Sequence, residues 1–312
     1  MVAHDVLLVF HLRTARCKAR TVATAEALSL LRDLQAVAPA GGPLAERGGL
    51  FWITLPDDAL DEAIPRFSRL GYTYAVDRLE PVIEQHSSFD RAQDQTRLVR
   101  WHRKLYRLVR LHEEDTQALR ESAPDRRTFL LETSDGQVRS IRGCRGDGRP
   151  SSRRGLPVYD ARLLVNLVTA GAGTLLLDPF AGIGGIVIEA LASGCLVTSA
   201  DWDPALQAGL VQLGASHYIA DARCLPFATE TFDAIATEPP YHKEAQPMVV
   251  EALREMYRIL KEGGRLAMLC AAGQADSLRR EAMLLGMSWY LDSAINRKGL
   301  DVVVLVGRKG KL

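Results

Sequence analysis

From residue 157 onward, short apolar runs alternate with segments of helical period. Leu175, Leu176 and Leu177 form one such run, closed by Asp178 and Pro179, and the helix-forming stretch IVIEALASG after it stops at Gly194. LVTSADWDP (196–204), SHYIADARCLPF (216–227) and FDAIATEPPY (232–241) repeat the pattern of an apolar strand ending on an acid, at Asp201 and Asp203, Asp221 and Glu238. A helix, DARLLVNLVTAG, precedes the series. A helix from Glu244 to Lys261, the strand RLAMLC, another helix and the strands WYLDSAI and LDVVVLV complete it. Strands alternating with helices over 157–312 predict an α/β domain built on a Rossmann-like, doubly wound sheet. In such a sheet the carboxyl ends of the strands open on one crevice where ligands bind. A single Asp after a strand is ordinarily a helix cap; acids at four successive strand ends point to a shared ligand.

Residues 1–138 are read as a separate small module, α+β or ferredoxin-like. VLLVFHLR (5–12), LFWITLP (50–56) and YTYAVDRLEPV (72–82) read as strands; 21–35 and 58–70 read as helices. TRLVRWHRKLYRLVRLHEED (96–115) fits a helical wheel, with Leu98, Trp101, Leu105, Leu108 and Val109 on one side. Arg100, Arg103, Lys104, Arg107 and Arg110 fall on the other. Two readings stay open here: a solvated helix face, or a face that contacts nucleic-acid phosphates. TFLLETSDGQVRSI (128–141) reads as a hairpin turning at Ser134-Asp135-Gly136. Residues 139–156, RSIRGCRGDGRPSSRRGL, form an Arg/Gly-rich linker that includes Arg153 and Arg154 and a single acid, Asp147. As a linker it is flexible; as an RNA contact it would bring guanidinium groups to the next domain.

Composition narrows the class. The 312 residues carry a formal net charge of +1, with 25 cations against 22 acids in residues 1–160. No apolar run approaches the ~20 residues of a membrane span, and the N-terminus lacks a signal-peptide pattern. The five cysteines, Cys17, Cys144, Cys195, Cys224 and Cys270, are scattered without a CxxC pair. A cytoplasmic protein without disulfides, metal or membrane contact is therefore expected.

The stretch LLLDPFAGIGG (175–185) places three glycines within seven positions of Asp178, between a strand and a helix. That arrangement brings backbone N–H groups to a ligand. Its spacing departs from the GxGxxG dinucleotide fingerprint, and its carboxylate suits a cationic or hydroxyl-bearing cofactor better than a pyrophosphate. DPFAGIGGIVIEA, SADWDP, ADARCLPF and TEPPY, in this order, resemble the motifs of class I S-adenosylmethionine-dependent methyltransferases. Within that class they are most similar to the THUMP-associated RNA methylases that make N2-methylguanosine in tRNA. LPVYDARLLVNLV (156–168) is similar to the segment preceding the glycine strand in that family. The resemblance covers about residues 150–312.

It implies that Asp178, Phe180, Ala181, Gly182 and Gly184 hold the methionine part of S-adenosylmethionine. Asp201 would take the ribose hydroxyls, Trp202 would lie beside the adenine, and Asp221 and Ala222 would meet the adenine edge. Glu238, Pro239, Pro240 and Tyr241 would form the catalytic loop. Chemistry points the same way: an exocyclic base amine is a poor nucleophile because its lone pair is delocalised into the ring. A carboxylate and a backbone carbonyl accepting its N–H bonds would localise that pair. Two prolines stiffen the loop, and Tyr241 offers a face for a flipped-out base. One departure stands out. The family usually has Asp, Asn or Ser where this chain has Glu238, a reach longer by ~1.5 Å, about one C–C bond.

The resulting expectation is an RNA methyltransferase acting on an exocyclic amine, guanosine N2 in tRNA, with Arg100, Arg103, Lys104, Arg107, Arg110, Arg153 and Arg154 contacting RNA. The alternatives are a DNA adenine-N6 or cytosine-N4 methyltransferase and a catalytically inactive cofactor- or RNA-binding module. The sequence leaves open the modified nucleotide, any accessory subunit and the oligomeric state.

Overall fold

A computed structural model describes residues 5–16, 19–39, 49–82, 98–101, 104–114, 128–132, 137–142, 155–297 and 299–310. The chain divides into two compact units, Met1–Asp115 and Thr116–Leu312.

The first unit is a five-stranded sheet in the order β2-β1-β3-β5-β4, formed by β1 (Asp5–Leu12), β2 (Leu50–Pro56), β3 (Thr73–Pro81), β4 (Leu98–Trp101) and β5 (Lys104–Glu113). Its pairings are all antiparallel. β1 and β2, which α1 (Arg20–Leu30) connects, lie side by side, so the α+β module has no split βαβ unit among the described residues. Alternation along β1 sends Phe10 to one face, where it stacks on Phe51 with ring centres 4.8 Å apart. Val9 goes to the other, with Trp52, Leu79, Val99 and Leu108. The helix expected over 58–70 is broken into a 3-10 turn, α2 (Leu60–Ala63) and a second 3-10 segment (Ile64–Arg69). Pro65 lacks the N–H that would continue the α-helical ladder.

Over its described residues, 98–101 and 104–114, the amphipathic helix expected for 96–115 does not form: they make the antiparallel strands β4 and β5. Trp101 pairs with Lys104 and Leu98 with Arg107, while β5 also pairs along β3. A period of two then separates the cations, with Arg110 on the side of Leu108 and Arg107 on the side of Leu105. Helical spacing of Leu and Trp is equally compatible with a strand whose two faces are both partly apolar, and pairing with β3 decides between them.

In the second unit the hairpin of β6 (Thr128–Glu132) and β7 (Val138–Arg142) pairs Glu132 with Val138. Its β6 strand packs on α5 (Gln207–Gln212). The main sheet has seven strands in the order β10-β9-β8-β11-β12-β14-β13. These are β8 (Leu175–Asp178), β9 (Leu196–Asp201), β10 (Ser216–Ile219), β11 (Phe232–Thr237), β12 (Leu260–Ala271), β13 (Met287–Arg297) and β14 (Leu300–Lys309). The first five positions are parallel, and β14 enters antiparallel between β12 and β13. The expected doubly wound sheet is present. Around it lie α3 (Val158–Leu167), α4 (Gly185–Ala192), α6 (Gln246–Ile259) and α7 (Ala272–Leu284). α6 buries Val249, Leu253, Met256 and Ile259, one stripe of helical period, against Leu177, Ile235 and Leu266 of the sheet. Each such side chain stabilises the fold by about 1.5–3 kcal/mol relative to exposure. No helix among the described residues is long and apolar enough to cross a membrane.

Candidate active site

Strand order runs outward from β8 through β9 to β10, then resumes on the other side of β8 with β11. The crevice therefore opens between β8 and β11, and Asp178 and Glu238 stand on its two sides at adjacent strand ends. Asp178 is buried and accepts hydrogen bonds from Thr237 Oγ1 at 2.9 Å and the Phe180 N–H at 3.2 Å. Burial pushes its carboxyl up to about 7; these two bonds oppose the rise, while the nearby Asp201 and Glu238 charges add to it.

The glycine turn is built by two different constraints. Gly184 has φ +74, and a Cβ there would come 2.6 Å from Leu213 Cδ1, so it is needed for backbone conformation and for packing on α5. Gly182 has φ +50 with nothing within 4 Å of a notional Cβ. Asp201 closes the turn: its Oδ2 accepts the Gly182 N–H at 2.8 Å and its Oδ1 the Asp203 N–H at 3.1 Å. Ala181, buried, donates its N–H to the Ala200 carbonyl at 3.0 Å.

A cavity of about 460 Å³ occupies the crevice, a size suited to a small-molecule cofactor. Phe180, Asp201, Trp202, Asp221, Ala222, Glu238 and Pro240 line it, together with Pro179, Ala220, Arg223 and Met248. Trp202 is 77% exposed, an indole held at the rim. Asp221 accepts from Arg223 Nη2 at 2.6 Å and from the Arg223 N–H at 2.9 Å, and this pairing holds its carboxyl below the usual range. Both partners are about half exposed, so solvent screens the pair and leaves it open to exchange. The donor set fits S-adenosylmethionine: carboxylates suit its cationic centres and hydroxyls, and the turn at Gly182 leaves open space.

The loop after β11 is tied down from several directions. Pro239 is buried, and Gln274 of α7 donates to the Pro240 carbonyl at 2.8 Å while its own Oε1 takes the Ala271 N–H at 3.2 Å. Arg297 Nη1, from the end of β13, donates to Glu238 Oε1 at 2.7 Å and to the Tyr241 hydroxyl at 2.9 Å. The Tyr241 hydroxyl donates to the same Glu238 oxygen. Arg297 Nε reaches Asp160 Oδ2 of α3 at 3.0 Å, and Asp160 is fully buried. Burial pushes the Glu238 carboxyl up, with Arg297 and the Tyr241 bond opposing. Tyr241 is engaged through its hydroxyl and is not among the residues lining the cavity.

Arg297, Asp160, Thr237 and Gln274 escaped the sequence reading. Asp160 and Thr237 fall within DARLLVNLVTAG and TEPPY without standing out there, and Arg297 stands 59 residues from Glu238 with no pattern linking them. Of the cations assigned to RNA, Lys104 and Arg107 are exposed on β5; Arg107 bonds Glu80 Oε2 at 2.8 Å, and Arg110 bonds Asp77. Arg100 belongs to β4; Arg103, Arg153 and Arg154 lie outside the described residues.

The methyltransferase domain family model matches residues 177–268. A tRNA (guanine(10)-N2)-dimethyltransferase of Pyrococcus abyssi is 35% identical over 152 residues, covering 42% of this chain and 45% of that protein. An enzyme of the same name from Methanothermobacter thermautotrophicus is 37% identical over 123 residues, 35% of this chain and 36% of that protein. The chain thus aligns with less than half the length of these relatives. The crystal structure of TrmN from Thermus thermophilus superposes with a TM-score of 0.53 at 18% identity, covering 98% of this chain and 100% of that one. The matched residues lie in the second unit, which thus carries a methyltransferase domain.

Proposed function

We propose that this chain uses its methyltransferase domain to methylate an exocyclic amine of RNA, the N2 of a guanosine in tRNA. The observation that carries the reading is the Glu238-Pro239-Pro240-Tyr241 loop, which sets a carboxylate and a braced backbone beside the cofactor cavity. The names of the relatives supply the nucleotide and the RNA class.

Asp178, Phe180, Ala181, Gly182 and Gly184 hold the methionyl end of the cofactor, Asp201 and Trp202 its nucleoside, and Asp221 and Ala222 its adenine edge. S-adenosylmethionine, when bound, supplies an electrophilic methyl group on a sulfonium. Glu238 and a loop carbonyl accept the two N–H bonds of the incoming amine, which turns the nitrogen lone pair toward the cofactor and prepares the loss of one proton. Pro239, Pro240 and the Gln274 bond keep this acceptor set from relaxing, so that catalysis rests on positioning and exclusion of water. Lys104, Arg107 and, with them, Arg100, Arg103, Arg110, Arg153 and Arg154 contact RNA phosphates.

The test is nucleoside mass spectrometry of unmodified tRNA after incubation with the full chain and isotope-labelled S-adenosylmethionine. Labelled N2-methylguanosine or N2,N2-dimethylguanosine is expected. Label in N6-methyladenine or N4-methylcytosine of duplex DNA would overturn the reading in favour of a DNA enzyme. Saturable cofactor binding with no labelled base in either nucleic acid would leave a binding module.

A further inference from the structure

A longer acidic side chain at the head of the loop needs something to hold it, because a free Glu carboxylate samples more positions than an acceptor for one amine tolerates. Here one oxygen is held. Glu238 Oε1 takes both Arg297 Nη1, at 2.7 Å, and the Tyr241 hydroxyl. Arg297 is itself anchored by the fully buried Asp160, at 3.0 Å. Glu238 lines the cavity, whereas Arg297, Asp160 and Tyr241 are not among the residues lining it. The guanidinium thus supports the carboxylate from behind and does not plug the site.

We infer that Arg297 is a positioning residue for the methyl transfer proposed above: anchored on Asp160, it draws the longer Glu238 side chain back and leaves Oε2 to the substrate amine. Glu238 and Arg297 are then a matched pair, the carboxylate from the loop and the guanidinium from β13. The inference rests on that reading of the reaction. The charged and titratable groups around Glu238 are Arg297 from β13, Asp160 from α3, Tyr241 from the loop and Asp178 from β8. Burial favours the neutral acid, and Arg297 is the one cation among them.

The experiment is a carbon-13 NMR titration of the full chain labelled at glutamate carboxyls, with the Glu238 signal assigned by its loss in Glu238→Gln. Arg297→Met should raise the Glu238 midpoint by about 1–3 pH units, the effect of removing an adjacent guanidinium. Asp160→Asn should lower it, because a carboxylate that opposes ionisation is gone. The midpoints test the charge pairing itself, and the kinetic split that follows separates positioning from a role limited to holding the fold. With tRNA as substrate, Arg297→Met should lower kcat by about tenfold to a hundredfold near neutral pH with little change in KM, and move the acidic limb of the rate profile upward. Arg297→Lys should recover part of the rate. An unchanged midpoint in Arg297→Met, or shifts of the same sign in both variants, overturns the inference. If Arg297→Met does not fold, an unlowered midpoint in Asp160→Asn does so. The titration requires no turnover, so a wild-type chain that methylates no RNA refutes the proposed reaction separately from the pairing.

Discussion

Asp178 shows how one residue's environment changes what it can report. An aspartate at the end of a strand, two residues from a backbone N–H it accepts, is commonplace in sequence. Enclosed at the sheet centre, its carboxyl is pushed up to about 7. A cationic ligand favours the ionised form, so S-adenosylmethionine should bind more tightly as pH rises from about 6 to about 8, releasing a proton. Calorimetry in buffers of different ionisation enthalpy measures that proton, and Asp178→Asn should abolish its release. The sign for folding without ligand is the opposite. The folded carboxyl titrates above the unfolded value of about 3.9, so the folded state binds the proton more tightly. Its contribution to stability is complete below pH 4 and is lost as pH rises toward 7, which denaturation at a series of pH values would show. Asp178 and Gly182 stand together in the sequence because they share one strand–turn–helix unit, whereas the bond from the Gly182 N–H to Asp201 at the end of β9 appears only in the fold. The distinct reasons for Gly182 and Gly184 were not legible either, since only the packing of Leu210 and Leu213 separates them.

Among the elements, α3 and α4 are joined by a buried ion pair, Arg162 Nε to Glu189 Oε2 at 2.9 Å. Both side chains are almost wholly enclosed, so removing one partner takes this ion pair away from a charge that stays buried. Arg162→Ala should destabilise the domain by about 3–5 kcal/mol in denaturant unfolding, whereas replacing the pair together by apolar side chains of similar volume should cost far less. α4 begins at the glycine turn and α3 carries Asp160, so this bridge also fixes two sides of the crevice. The alternation of the C-terminal elements was readable because strands such as β8, β11 and β14 are enclosed over most of their length and appear as short apolar runs. Residues 96–115 misled for the converse reason. A partly exposed strand with apolar groups on both faces matches a helical wheel as well as a pleat, and partners in β3 (Leu79 opposite Leu108, Glu80 opposite Arg107) settle it.

At the scale of the whole molecule, the cations of the first unit have to be weighed against the acids beside them. Arg107 bonds Glu80, and Arg110 bonds Asp77 and Glu113, so these side chains are already partly neutralised. Lys104 is exposed on the same strand. If Lys104 and Arg107 touch RNA, replacing both by Ala should reduce the slope of log affinity against log salt by about 1–2, on the basis of roughly 0.7–0.9 per phosphate contact. Filter binding of tRNA across a salt series measures it, and an unchanged slope assigns them to the solvated surface.

Local order in the chain was enough for the alternation of strands and helices, the acids at their ends and the glycine turn, because each follows from residues within a few positions of one another. The cofactor class could be named from those motifs for the same reason. The antiparallel strands in place of a helix and the Asp160–Arg297–Glu238–Tyr241 chain came only from the folded arrangement. Strand pairing and burial bring together groups that lie tens of residues apart, and no local periodicity encodes which distant guanidinium will meet a given carboxylate.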